Sequence, residues 1–186
     1  MAGTLYIVGV GPGHHDHMTF GARRAGWRPG DAPHVEILPG VSALNSCASI
    51  VGSPLMADFA VISMSDLLVP WEVILKRAEA AARGDFVIVI YNPSSKKRIH
   101  QLRDTRELLL KHRPPGTPVA IVKGAYRESE SVVITDLGSM EEHADKLGMI
   151  STVIIGNSST YRHGDLLINP RGYRSKYSLN PPAPQK

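Results

Sequence analysis

Cysteine is almost missing from this 186-residue sequence: Cys47 is the only one. An internal disulfide and a multi-thiolate zinc site within one chain are thereby excluded, and a reducing cytoplasm is the expected compartment. Long apolar runs are missing too, and no stretch reaches the roughly 18 residues that a membrane span needs. Met1 to Leu5 shows no basic segment leading into an apolar one, so no signal peptide is expected. Charge of one sign is also scarce. Lys plus Arg is 21 and Asp plus Glu is 17, a formal charge of +4. There is no long basic tract, and basic residues do not interleave with the few aromatics (6%). A nucleic-acid binder is therefore not expected, whereas the weak surplus fits an acidic small molecule. The short run Lys96-Lys97-Arg98 reads as a solvated surface or as a contact with an anionic ligand.

Hydrophobic residues are 42% and charged residues 20%, the balance of a soluble globular chain. Seventeen glycines and fourteen prolines point to short elements joined by turns. Leu5-Tyr6-Ile7-Val8 reads as a buried strand, followed at once by the turn Gly9-Val10-Gly11-Pro12-Gly13. His34 to Leu38 is a second strand stopped by Pro39-Gly40. Ser42 can cap a small-residue helix from Ala43 to Ile50. Ala60 to Ser63 is a third strand. Pro70 suits the start of a helix with Trp71, Ile74, Leu75 and Ala78 on one face and Gly84 at its end. Phe86 to Tyr91 is a continuous buried strand. A helix bearing Ile99, Leu102, Thr105, Leu108 and Leu109 follows. Beyond the rigid turn 114–118, Val119 to Val122, Ser131 to Thr135 and Thr152 to Ile155 are β-branched strands. The class is α/β.

The glycine turn is not a dinucleotide fingerprint, because the third glycine position is His14. Pro12 also removes a donor that a phosphate cradle would use. The glycines still let a flat adenosine or a large substrate approach the strand end; a tight turn with no ligand stays open. His14, His15 and His17 beside Asp16 read as a polar surface loop, a ligand contact or, less well by spacing, a metal site. Asp66 after the third strand either orients a substrate or caps a turn, and Asn92 before Pro93 shapes a turn or faces a ligand.

The ordered set of motifs resembles a known family. Thr4 to Gly13 looks like the opening of the tetrapyrrole methyltransferases that use S-adenosylmethionine, and Pro39-Gly40-Val41-Ser42-Ala43-Leu44-Asn45 looks like their second cofactor loop. Ala60 to Leu68 with Pro70-Trp71-Glu72 is similar to one branch, the precorrin-3B C17-methyltransferases of cobalamin synthesis. So are Tyr91 to Lys96, Val122 to Ala125, Ile154 to Ser158 and Pro170 to Tyr173. The resemblance implies two α/β domains with the cofactor cleft between them: residues 1–62, an abbreviated N-terminal parallel-sheet domain, and 63–173, a mixed-sheet domain. Residues 174–186 read as a loose tail.

The resemblance further implies methylation at C17 of precorrin-3B, with ring contraction to precorrin-4. S-adenosylmethionine is the implied methyl donor, and no protein-bound metal is implied. The implied partners are an anionic corrinoid precursor, metal-free or cobalt-bearing, and a second copy in a cytoplasmic homodimer, with no nucleic acid and no membrane. Gly9, Gly11, Pro12, Gly13, Pro39, Gly40, Val41, Ser42, Tyr91, Asn92, Ala125, Gly156 and Asn157 are the implied cofactor residues. Asp66 and Tyr91 are the implied catalytic ones. Lys96, Lys97, Arg98, Lys123 and Arg127 are candidates for the carboxylates of the substrate. Against the family pattern, roughly 60 residues are absent between Phe20 and Pro39, including a cofactor-contacting Gly-Asp-Pro loop. An impaired or inactive homologue is the alternative expectation, and a different small enzyme or binding module a more distant one.

Overall fold

The computed structural model describes residues 40–93 and 100–172, together with the backbone of two short strands, β1 (Leu5–Val8) and β2 (Val35–Leu38). These two pair in parallel, Leu5 opposite Val35 and Val8 opposite Leu38. Gly9, Gly11, Pro12, Gly13, Pro39, the histidines at 14, 15 and 17, and the 96–98 tract lie outside the described residues.

Helix α1 (Ala43–Ile50) begins where Ser42 accepts a hydrogen bond from the Asn45 N–H at 3.3 Å. That is the cap expected from its sequence. A two-residue strand, β3 (Gly52–Ser53), follows, then β4 (Phe59–Ser63), helix α2 (Trp71–Arg83) and β5 (Val87–Tyr91). Pro70 and Gly84 flank α2 as N- and C-caps. Helix α3 (His100–Leu109), β6 (Pro118–Lys123) and β7 (Ser131–Asp136) come next. A 3-10 turn (Met140–Lys146) leads to β8 (Ser151–Ile155), β9 (Tyr161–His163) and β10 (Leu166–Ile168).

Five strands form a mixed sheet in the order β4-β5-β8-β6-β7. β4 and β5 are parallel, joined through α2. β8 runs antiparallel to both β5 and β6, and β7 antiparallel to β6. The expected boundary after Ile62 falls inside β4, which pairs with β5 along its whole length.

The period-two alternation of strand side chains divides the core into two layers. Ile62, Ile88, Ile90, Val119, Ile121, Val153 and Ile155 face α2 and α3, meeting Ile74, Ala78, Leu102 and Leu109. Val87, Val89, Ala120, Val122 and Ile154 face the other way, onto Cys47 and Ala48 of α1 and Leu167 of β10. β5 and β8 are covered on both faces, which explains their unbroken apolar runs. Each such Val or Ile contributes about 1.5–3 kcal/mol by leaving water.

On the α1 side, β10 pairs in parallel with β3 and antiparallel with β9. Gly52 has φ 113°, and a Cβ there would lie 2.8 Å from the Leu167 carbonyl oxygen. Glycine is what allows this approach.

Candidate functional site

The directions of the central strands gather one edge of the sheet. Because β8 is antiparallel to β5 and β6, Tyr91 stands opposite Thr152, and Lys123 opposite Ser151. The ends of β5 and β6 and the start of β8 therefore converge. There they enclose a cavity of about 280 Å³. Ala43 and Cys47 line it from α1, Tyr91 and Asn92 from β5, and Gly124, Ala125 and Arg127 from the turn after β6. Met149, Ile150, Ser151 and Thr152 complete the wall.

The backbone around the cavity turns sharply. Asn92 (φ 52°), Gly124 (φ 61°) and Tyr126 (φ 58°) are left-handed. Asn92 suits that region because its short polar side chain bonds locally: Nδ2 donates to Ser63 Oγ at 3.1 Å. The Gly124 N–H donates to the Ile150 carbonyl at 3.2 Å, tying two walls together. A Cβ on Gly124 would meet Ser129 Oγ at 2.9 Å. The Tyr126 hydroxyl shares a 2.8 Å hydrogen bond with Ser49 Oγ, which fastens this turn to α1.

Burial pushes the Cys47 thiol above its ordinary range; a hydrogen bond with Thr152 opposes this, and the Glu130 carboxylate adds to it. Burial also raises the Tyr91 phenol, against a hydrogen bond with the Leu44 backbone, while Cys47 pushes in the same direction as burial. Both side chains are therefore protonated and uncharged near neutral pH. The cavity combines neutral hydroxyls, an amide and small apolar walls with one guanidinium, that of Arg127. Such a lining suits a flat, weakly polar group better than a bare phosphate.

Of the residues expected at the cofactor, Tyr91, Asn92 and Ala125 line this cavity. Gly40, Val41 and Ser42 are exposed and immediately precede Ala43, a wall residue. Gly156 and Asn157 stand at the far edge, where β8 ends beside the start of β5. There the Gly156 carbonyl accepts from buried Arg113 at 2.5 Å, and Arg113 also donates to the Phe86 carbonyl. Burial lowers the Arg113 guanidinium, with Asp85 pulling it back up. Asn157 donates to the Asp85 carbonyl at 3.1 Å and accepts from Asn169 at 2.6 Å.

Asp66 is outside the cavity lining and accepts from Gln101 Nε2 of α3 at 3.3 Å. Lys123, a carboxylate candidate, ends β6 beside the cavity without lining it, whereas Arg127 does line it. Sequence reasoning missed Cys47, Gly124 and the segment 149–152 as wall residues. The available signal was Gly148-Met149-Ile150-Ser151, a glycine-led loop running straight into a β-branched strand.

Among the described residues, no three His, Cys, Asp or Glu side chains group as metal ligands, and no helix is long and apolar enough to cross a membrane.

Residues 30–141 match the family described as tetrapyrrole (corrin/porphyrin) methylases. The chain is 52% identical over 155 residues to the cobalt-factor III methyltransferase of Priestia megaterium, a match covering 83% of this chain and 28% of that protein. It is 46% identical over 139 residues to the probable cobalt-factor III C(17)-methyltransferase of Salmonella typhimurium, covering 75% of this chain and 57% of that protein. The chain thus spans less than two thirds of the length of either relative. The crystal structure of the methyltransferase CobJ shares the fold, with a TM-score of 0.79 at 23% identity over 91% of this chain and 100% of that one.

Proposed function

The chain belongs to the tetrapyrrole methylase family, and on that premise we propose that it is an S-adenosylmethionine-dependent C-methyltransferase. Its acceptor is a corrinoid precursor, precorrin-3B or the cobalt-bearing cobalt-factor III, methylated at C17 with ring contraction. The reading extends to a cytoplasmic homodimer.

One observation supports it above the rest: the cavity where β5, β6 and β8 converge. Its volume of about 280 Å³ is just under the roughly 300 Å³ at which small-molecule sites begin, a size for the adenosyl part of the donor rather than for the whole molecule. Ala43, Ala125 and Ile150 offer small or apolar surface to a flat ring, and Asn92, Thr152 and Tyr91 bring polar atoms to its rim. These residues fit the donor.

When bound, S-adenosylmethionine supplies an electrophilic methyl group that an electron-rich macrocycle carbon displaces in line. The work left to the chain is alignment, which can account for about 7–11 kcal/mol of a barrier. Rigid walls serve that purpose. Asn92 is held by Ser63, Gly124 by Ile150, and the turn beyond by the Ser49–Tyr126 bond. Tyr91, raised in pKa, acts as a neutral hydrogen-bond donor rather than as a phenolate base. Asp66 orients the acceptor from the turn after β4, its carboxylate steadied by Gln101.

The test is incubation with cobalt-factor III and methyl-labelled S-adenosylmethionine, followed by mass spectrometry and NMR of the product. The reading expects one label, on C17. Unlabelled acceptor after prolonged incubation of folded protein would support the impaired homologue instead.

A further inference from the structure

Residues 126–130 are exposed in an unbroken row. They follow directly on Ala125, which is buried and belongs with Cys47 and Val122 to the core. The row begins on a strained residue. Tyr126 has φ 58°, a region in which a bulky non-glycine residue costs free energy. Two hydrogen bonds hold it there. Its N–H donates to Glu130 Oε2 at 2.6 Å, and its hydroxyl shares the 2.8 Å bond with Ser49 Oγ of α1.

The two bonds differ in what they join. The Glu130 bond lies within the turn. So do the bonds from the Arg127 N–H to the Gly124 carbonyl and from the Glu130 N–H to the Arg127 carbonyl, both 2.9 Å. These make 126–130 a small body bonded to itself. The Ser49 bond instead ties that body to α1, 77 positions away in sequence. Helix α1 is held to the sheet from within, because Cys47 bonds Thr152 and the Leu44 backbone bonds Tyr91. When the Ser49–Tyr126 bond opens, the turn is therefore the part that moves. Arg127 moves with it, the one charged side chain among the described residues that line the donor cavity. Ala43 and Cys47 line the same cavity from α1, so the bond joins two of its walls.

From this arrangement we infer that Tyr126 is a positioning residue for the donor: its hydroxyl latches the 126–130 turn to Ser49, holds Arg127 at the cavity, and sets how fast the donor enters and its demethylated product leaves. The inference rests on the methyltransferase reading and adds to it the control of exchange at the same site. A hydrogen bond between two exposed hydroxyls competes with water, so its net strength is modest and it opens and recloses. Exposed side chains and a turn bonded mainly to itself belong to the low-stability end of a structure, from which lids are drawn. The left-handed backbone of Tyr126 favours opening, and the latch opposes it. A glycine at 126 would take that backbone without strain but could not reach Ser49.

The experiment measures association and release of S-adenosylhomocysteine by surface plasmon resonance on the full chain. The variants are Tyr126→Phe, Ser49→Ala, the two combined, and Ser49→Thr. Both side chains are exposed, so melting temperatures should stay close to that of the parent. Tyr126→Phe and Ser49→Ala are each expected to speed both association and release about fivefold, because an unlatched turn admits the ligand as readily as it frees it. The combined variant should be no faster than either single one, since both changes remove the same bond. Ser49→Thr keeps the hydroxyl and should stay within about twofold of the parent. Three results, with a parent that binds, would overturn the inference and leave the methyltransferase reading standing. They are unchanged rates in both single variants, faster release with unchanged association, and a combined effect equal to the product of the single ones. A parent that does not bind the ligand would overturn both.

Discussion

Asn92 Nδ2 lies 3.1 Å from Ser63 Oγ, a bond between the ends of two parallel strands at the rim of the cavity that Asn92 lines. Asn92 carries φ 52°, so the bond and the backbone turn depend on the same residue. Asn92→Ala should cost about 1–2 kcal/mol, from a lost hydrogen bond and a residue less suited to the left-handed region. Asn92→Gly loses the bond but tolerates the turn, so its loss should be smaller. Urea unfolding of the two variants checks the order. Equal losses would mean that the backbone angle contributes nothing.

A Cβ on Gly156 would lie 2.6 Å from Thr160 Cβ. Thr160 cannot swing away freely, because its hydroxyl bonds the Asn157 N–H and the Asn169 amide. Gly156→Ala should therefore destabilise the chain by about 1–3 kcal/mol through overpacking. Thermal or urea unfolding reports it, and donor affinity per folded molecule should not move.

Cys47 and Tyr91 titrate above their ordinary values of 9.0 and 10.0, so the folded chain holds both protons more tightly than the unfolded chain. Their contribution to stability is fully present below about pH 9 and is lost as the pH rises through the raised folded values. Melting temperature should be flat near neutrality and fall at alkaline pH. Cys47→Ala should reduce the alkaline fall, with the Tyr91 part remaining. An unchanged slope in that variant would show that the thiol is not held protonated by its surroundings.

Much of this architecture was legible. The unbroken run Val87 to Tyr91 required a strand covered on both faces, and Ser42, Pro70 and Gly84 marked helix ends by their own chemistry. The small strands were not legible. Gly52–Ser53 and Tyr161–His163 are too short for any period, and all three residues of the latter are exposed. The 3-10 turn at Met140–Lys146 buries only Met140, so it shows no amphipathic stripe.

The site divides in the same way. Tyr91, Asn92 and Ala125 could be placed at strand ends from apolar runs alone. Which end of β8 meets them could not, because residues do not carry the direction of their strand within a sheet. The antiparallel pairing of β8 with β5 brings Ser151 and Thr152 to the cavity and carries Gly156 and Asn157 away. Cys47 reads as a small core residue until α1 is seen to lean over the same edge.

The proposed donor site lies against α1 and the 149–152 segment. Calorimetric titration of S-adenosylhomocysteine into the parent and into Ala43→Trp tests it most directly. Ala43 is an exposed wall residue in the first turn of α1, so the indole enters the cavity without disturbing the core. A clear isotherm is expected for the parent and at least about a tenfold loss in the variant, with both folded. Equal affinities in the two proteins would contradict it.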